Sequence, residues 1–216
     1  MKGIIIRFDE NNIESSEMKD WTGNKTSVFS TLAASSHSKE RRATDDYYCT
    51  PPKAVEELLK REQFNHYILE PAVGGGNIAD VLVKNGHKVQ SMDIVNRGYI
   101  GTEVKDFLAT KKEDLNFSPD IITNPPYALA KEFVEHALNI SMDSVKVAMF
   151  LKIQFLESKK RYELFKKYPP KKIWVFVNRV NCGKNGVFGK ESSAVCYAWF
   201  VWEKGYTGLP QVDWIG

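Results

Sequence analysis

Between Thr50 and Ile153 short apolar runs alternate with segments of helical periodicity, and this alternation narrows the fold more than any other feature of the chain. Tyr67-Ile68-Leu69 is too short for a helix and apolar at successive positions, the mark of a strand covered on both faces. Thr50-Pro51-Pro52 predicts a helix start ahead of it, with proline in the first turn. Gly74-Gly75-Gly76 predicts a turn, and Asn77 to Lys84 a helix that ends at Gly86. Lys88 to Met92 reads as a second strand closing on Asp93, and Asp120-Ile121-Ile122-Thr123 as a third. A helix from Ala128 to Ile140 carries Phe133, Val134, Ala137 and Leu138 at helical spacing. A strand over Val145 to Ile153 and a basic helix around Glu157 to Tyr168 follow. Only a loop separates Lys172 to Val177 from Ala194 to Trp202, so these two strong strands predict an antiparallel hairpin. The pattern is α/β: a Rossmann-like, doubly wound, mostly parallel sheet with a C-terminal antiparallel hairpin.

A chain of 216 residues buries a full core without disulfide or metal staples. Cys49, Cys182 and Cys196 are scattered, no pair has Cys-x-x-Cys spacing, and the four histidines form no cluster with them. The cysteines therefore read as packing residues, with neither a metal site nor a disulfide framework expected, and a reducing cytoplasm fits. No apolar run approaches a membrane span, and Met1 to Arg7 holds too short an apolar stretch for a secretory signal. Residues 9 to 46 are polar and weakly patterned, so 1–46 reads as an N-terminal arm and 47–216 as the folded domain. The net charge of +3 says little, but seven basic residues and one acid fall between Lys159 and Lys172. Lys159, Lys160, Arg161, Lys166 and Lys167 suit a polyphosphate surface, the alternative being a solvated helix face.

Two turns carry chemistry, and both fall at the carboxyl ends of strands, where ligands bind in such sheets. After Leu69 comes Glu70-Pro71-Ala72-Val73-Gly74-Gly75-Gly76, without the spacing of a phosphate loop or a dinucleotide loop. Its glycines let a ligand approach the backbone, Glu70 can attract an ammonium, and Asp93, 19 residues beyond Gly74, can accept from ribose hydroxyls. A nucleoside joined to an amino acid, such as S-adenosylmethionine, fits these three needs; a plain turn with a capping acid is the alternative. After Thr123 comes Asn124-Pro125-Pro126-Tyr127. The Asn124 amide oxygen and the Pro125 carbonyl can each accept a hydrogen from one aromatic amine. That favours the developing tetrahedral nitrogen, so the stabilisation grows toward the transition state. Tyr127 can stack on the base.

These residues resemble the amino-methyltransferases of DNA, in particular the small adenine-specific enzymes of bacteria and phages. The resemblance runs from about Trp21 to the end of the sequence. Asp45 to Pro52, with Tyr48, Thr50 and Pro51, resembles the element that holds the methionine part of S-adenosylmethionine. Glu70 to Asn77, with Ala72, Gly74 and Gly76, resembles the glycine motif, and Asp93 with Ile94 the ribose acid and its neighbour. Asp106-Phe107-Leu108 resembles the element that contacts the cofactor adenine, Asp106 on its amine and Phe107 beside its ring. Asn124 to Tyr127 resembles the catalytic tetrad. The resemblance also implies an aromatic residue that sandwiches the flipped base. Phe188, in the loop between the last two predicted strands, takes that place unless it folds back on the surface. It implies direct transfer to the N6 amine of adenine in DNA, without metal or covalent intermediate; the oligomeric state is open, with a monomer assumed. The same tetrad suits adenine in RNA, a glutamine amide or a cytosine amine, and a binding module without turnover is the remaining alternative. Larger members carry a target-recognition domain after the hairpin. Here Lys204 to Gly216 follow it, so a short or relaxed recognition site is expected, read by the arm, the Phe188 loop and the basic segment.

Overall fold

The computed structural model describes residues 48–115, 117–184 and 195–216; the N-terminal arm and Phe188 lie outside them. The strands and helices that the sequence predicts form close to their expected places, and short strands at 48–49, 103–104 and 183–184 are additions to them. Strands β1 (Tyr48–Cys49), β2 (Tyr67–Glu70), β3 (Lys88–Asp93), β4 (Glu103–Val104), β5 (Asp120–Thr123) and β6 (Lys146–Lys152) come first. They are followed by β7 (Lys172–Phe176), β8 (Gly183–Lys184), β9 (Tyr197–Glu203) and β10 (Gln211–Ile215). The helices are α1 (Pro52–Arg61), α2 (Asn77–Lys84), α3 (Ala130–Ile140) and α4 (Lys159–Lys167). Among the described residues eight strands form one sheet in the order β10-β7-β9-β6-β5-β2-β3-β4, and β1 pairs with β8 apart from it. The pairs from β4 to β6 are all parallel.

Successive residues of each central strand face opposite sides, and both sides are apolar, so the sheet is covered twice. Leu69, Ile121, Val147, Met149, Ile173 and Phe200 face α3 and α4, meeting Phe133, Val134, Ala137 and Leu164. Ile68, Ile122, Ala148, Phe150, Trp174 and Trp199 face α1 and α2, meeting Val55, Leu58, Val81 and Leu82. The Trp199 indole N–H donates to the Ala54 carbonyl at 2.8 Å and pins α1 to the sheet. At the opposite end from the motif turns, the buried Asp120 carboxylate accepts from the Asn65 backbone N–H at 2.7 Å and the Lys146 N–H at 2.7 Å. This stitches the starts of β5 and β6 to the loop before β2.

The C-terminal pairing is antiparallel, as expected, with Trp174 opposite Trp199. β9 does more than close a hairpin, however: it inserts between β6 and β7, antiparallel to both. The segment after it forms β10, an unexpected outer strand parallel to β7.

Candidate active site

The carboxyl ends of β2, β3, β5 and β6 bring the two motif turns to one edge of the sheet. β5 ends at Thr123, and the two prolines carry the chain into a short 3-10 turn, Tyr127–Leu129, that leads into α3. The Pro126 carbonyl closes this turn by accepting from the Leu129 N–H at 2.9 Å. The Pro125 carbonyl takes no such partner among the described residues, so it stays available as an acceptor.

The Asn124 amide nitrogen donates to the Tyr48 carbonyl at 2.8 Å. A carbonyl cannot face an amide oxygen, so this bond decides the orientation of the carboxamide and leaves Oδ1 as its acceptor end. Tyr48 is itself held by β1, whose partner β8 belongs to the chain between β7 and β9. The Thr-Pro element, the tetrad and the β7–β9 connection therefore meet through one hydrogen bond and one short ladder.

Tyr127 lies among aromatic rings, 5.8 Å from Tyr48 and 6.2 Å from Tyr197 between centroids. The Lys152 ammonium sits 4.6 Å from the centre of its ring. The Tyr127 hydroxyl is buried close to the polar ends of Asn124, Cys182 and Tyr197. Burial, reinforced by the neighbouring Tyr197 and Cys182, pushes its pKa well up. Burial likewise pushes the Cys182 thiol up to about 11. Tyr99, Lys152, Tyr197 and Cys182 escape a reading of the sequence as site residues. The available signal for Lys152 is a charge at the end of the apolar run Val147 to Leu151.

The glycine turn follows β2 with Gly74 at φ +55° and Gly76 at φ +87°, a backbone that favours glycine. Asp93 fastens it: one carboxylate oxygen accepts from the Gly74 N–H at 2.8 Å and the other from the Val95 N–H at 3.0 Å. The open face of Gly76 is taken by the Tyr99 ring, which a Cβ there would strike. Burial, then the negative charges of Asp80 and Glu70, pushes the Tyr99 phenol up.

Glu70 is 1% exposed, and its Oε2 has no partner. Burial pushes its pKa well above the ordinary 4.5, aided by Asp93 and Asp80 and opposed by the Ala79 backbone N–H. Thr50 Oγ1 and Thr123 Oγ1 are also buried and unpartnered. Native interiors leave few such atoms unsatisfied, at about 1–3 kcal/mol each, so these three positions offer donors and acceptors a polar ligand would complete. A buried carboxyl with one unpartnered oxygen, beside a glycine turn, suits an ammonium such as S-adenosylmethionine carries.

Around this centre the other expected residues are placed as follows. Pro51 precedes α1, half-buried, and Ala72 is half-buried in the glycine turn. Ile94 is 69% exposed, a bare apolar face beside Asp93. Asp106 caps the 3-10 turn Phe107–Ala109, accepting from the Leu108 N–H at 2.9 Å. Phe107 is 2% exposed, with its ring against Phe133 and His136. On α4, Lys159 and Lys160 are exposed, whereas Arg161 donates to the Gln154 carbonyl at 3.1 Å and lies over Phe155. Lys166 and Lys167 lie over Tyr162 and Tyr168. No group of three or more His, Cys, Asp and Glu side chains poised for a metal occurs among the described residues. No described helix is long and apolar enough to cross a membrane.

No protein-family model and no curated protein matches the sequence. Solved structures do match the fold. A type I restriction-modification methyltransferase subunit from Streptococcus thermophilus superposes with a TM-score of 0.58 at 11% identity, over 79% of this chain and 47% of that one. A candidate hemolysin from Lactococcus lactis gives 0.57 at 16% identity, over 75% and 91%. A candidate class I S-adenosylmethionine-dependent methyltransferase from Listeria monocytogenes gives 0.52 at 12% identity, over 87% and 70%. The chain spans about half the length of the restriction-modification subunit it matches. The sheet thus has the Rossmann-like fold of these methyltransferase structures.

Proposed function

We propose that the chain transfers a methyl group from S-adenosylmethionine to the exocyclic N6 amine of a flipped adenine in DNA. The observation that carries this reading is the Asn124 carboxamide, whose nitrogen is held by the Tyr48 carbonyl so that its oxygen is left as the acceptor, next in the chain to the Pro125 carbonyl. Two adjacent acceptors on one rigid turn suit a primary aromatic amine. Asn124 Oδ1 and the Pro125 carbonyl accept its two hydrogens and turn its lone pair out of conjugation with the ring. The interaction strengthens as the nitrogen becomes tetrahedral, so it lowers the barrier and not merely the ground state.

S-adenosylmethionine, when bound, supplies the sulfonium methyl group for an in-line displacement. Glu70 and Thr50 receive its amino-acid end, Asp93 its ribose, and Ile94 with Asp106 its adenine, Phe107 supporting that wall from the core. Tyr48 and Pro51 bound the methionine side, Ala72 and Gly74 form the floor, and Gly76, its open face covered by Tyr99, shapes the turn and does not meet the cofactor. Tyr127 stacks on the target base, and this offsets part of the cost of unstacking. Lys159, Lys160, Arg161, Lys166 and Lys167 lie on the nucleic-acid side. Cys182, beside Tyr127, is held as the neutral thiol at physiological pH, which suits a direct transfer over one through a cysteine adduct.

The test is transfer in vitro. The protein is incubated with labelled S-adenosylmethionine and either unmethylated DNA or RNA of the same sequence, and the digests are resolved by mass spectrometry. Label in N6-methyldeoxyadenosine is the expected result. Label only in RNA, or in neither, overturns the DNA assignment.

A further inference from the structure

Lys152 ends β6, beside the strand that carries the tetrad, and pairs across the sheet with Tyr197. It is half-buried, its ammonium covers the Tyr127 ring at 4.6 Å, and it takes part in no ion pair with a carboxylate among the described residues. Lys146 and Lys171, which also lie over rings, bond Glu62 and Glu203 at 2.7 Å. Lys88 over Tyr67 and Lys172 over Trp174 share the lack of a carboxylate partner among the described residues, but they lie at the amino ends of their strands, away from the tetrad. An uncompensated cation here is at odds with a site that also receives a sulfonium, unless the second substrate brings an anion. A polynucleotide brings one on each side of every base; a glutamine side chain brings none.

We infer that Lys152 is a phosphate-binding residue of the acceptor site, parked on the Tyr127 ring until a polynucleotide arrives. When the base enters, the ammonium moves to the phosphodiester flanking it and uncovers the ring for stacking. Lys152 is then a positioning residue that couples backbone contact to base entry, and it selects a polynucleotide over a protein side chain. The inference rests on the functional reading above and narrows its substrate class.

The experiment is titration of a fluorescently labelled adenine-containing duplex at several KCl concentrations, with wild type, Lys152→Met and Lys152→Arg. Each phosphate contact contributes about 0.9 to the slope of log affinity against log salt on duplex DNA. Lys152→Met should lower the slope by about that amount, while S-adenosylmethionine affinity by calorimetry stays at the wild-type value. Lys152→Arg, which keeps the charge, should retain the slope. A wild-type slope in Lys152→Met overturns the inference alone, since the protein still binds DNA. A wild-type protein with no salt-dependent affinity for the duplex overturns the nucleic-acid reading together with it.

Discussion

A carboxamide has a donor end and an acceptor end, and the Tyr48 carbonyl decides which end of Asn124 faces the substrate. Asn124→Asp keeps the shape and removes the donor, setting a carboxylate oxygen against a carbonyl. We expect kcat to fall by about 10²–10³-fold with S-adenosylmethionine affinity nearly unchanged, measured by steady-state transfer and calorimetry. Near-normal turnover would remove Asn124 from the mechanism. Glu70 makes a second prediction at this scale. Its folded pKa is raised, so the folded protein keeps that proton to higher pH than the unfolded chain does. Its contribution to stability is full below the ordinary carboxylate value of 4.5 and is lost as pH rises through the raised folded value. Thermal melts of the unliganded protein should show this loss in wild type and not in Glu70→Gln. The same variant should bind S-adenosylmethionine more weakly, because an ammonium would have stabilised the ionised carboxylate.

At the scale of elements, the glycine turn and α2 are locked by a side chain from another loop. Gly76→Ala drives a Cβ into the Tyr99 ring, so it should destabilise strongly, and Tyr99→Ala should restore part of the loss in the double variant. The part not restored reflects φ +87°, worth about 1–2 kcal/mol for an L residue. Additive effects of the two changes in urea melts would show that the ring is not the obstacle. Asp120→Ala, which leaves the Asn65 and Lys146 N–H groups without their carboxylate, should cost about 2–4 kcal/mol in the same assay. Strand and helix positions were legible in the sequence because apolar pairs such as Ile68-Leu69 and Ile121-Ile122 are local signals of a doubly covered strand. The insertion of β9 between β6 and β7 was not, since pairing partners distant in the chain leave no periodicity. β10 did alternate, Val212 and Trp214 against Gln211 and Asp213, but it is short and follows a Gly-Leu-Pro turn.

At the scale of the whole molecule, the doubly wound sheet puts the carboxyl ends of its central strands on one edge, and both motif turns stand there. The motif residues could be read because their chemistry is compressed into four to eight consecutive positions. Tyr99 and Lys152 could not, because each acquires a role only through a residue far off in the chain, Gly76 for one and Tyr127 for the other. The central claim, transfer to the adenine amine by this edge of the sheet, meets its most direct test in genomic DNA. Cells without adenine methylation of their own would express either the wild-type chain or Asn124→Ala, and their nucleosides would be quantified by mass spectrometry. The account predicts N6-methyldeoxyadenosine with wild type and none with the variant. Methylation confined to cytosine, no methylation by the wild-type protein, or equal N6-methyldeoxyadenosine from both would contradict it.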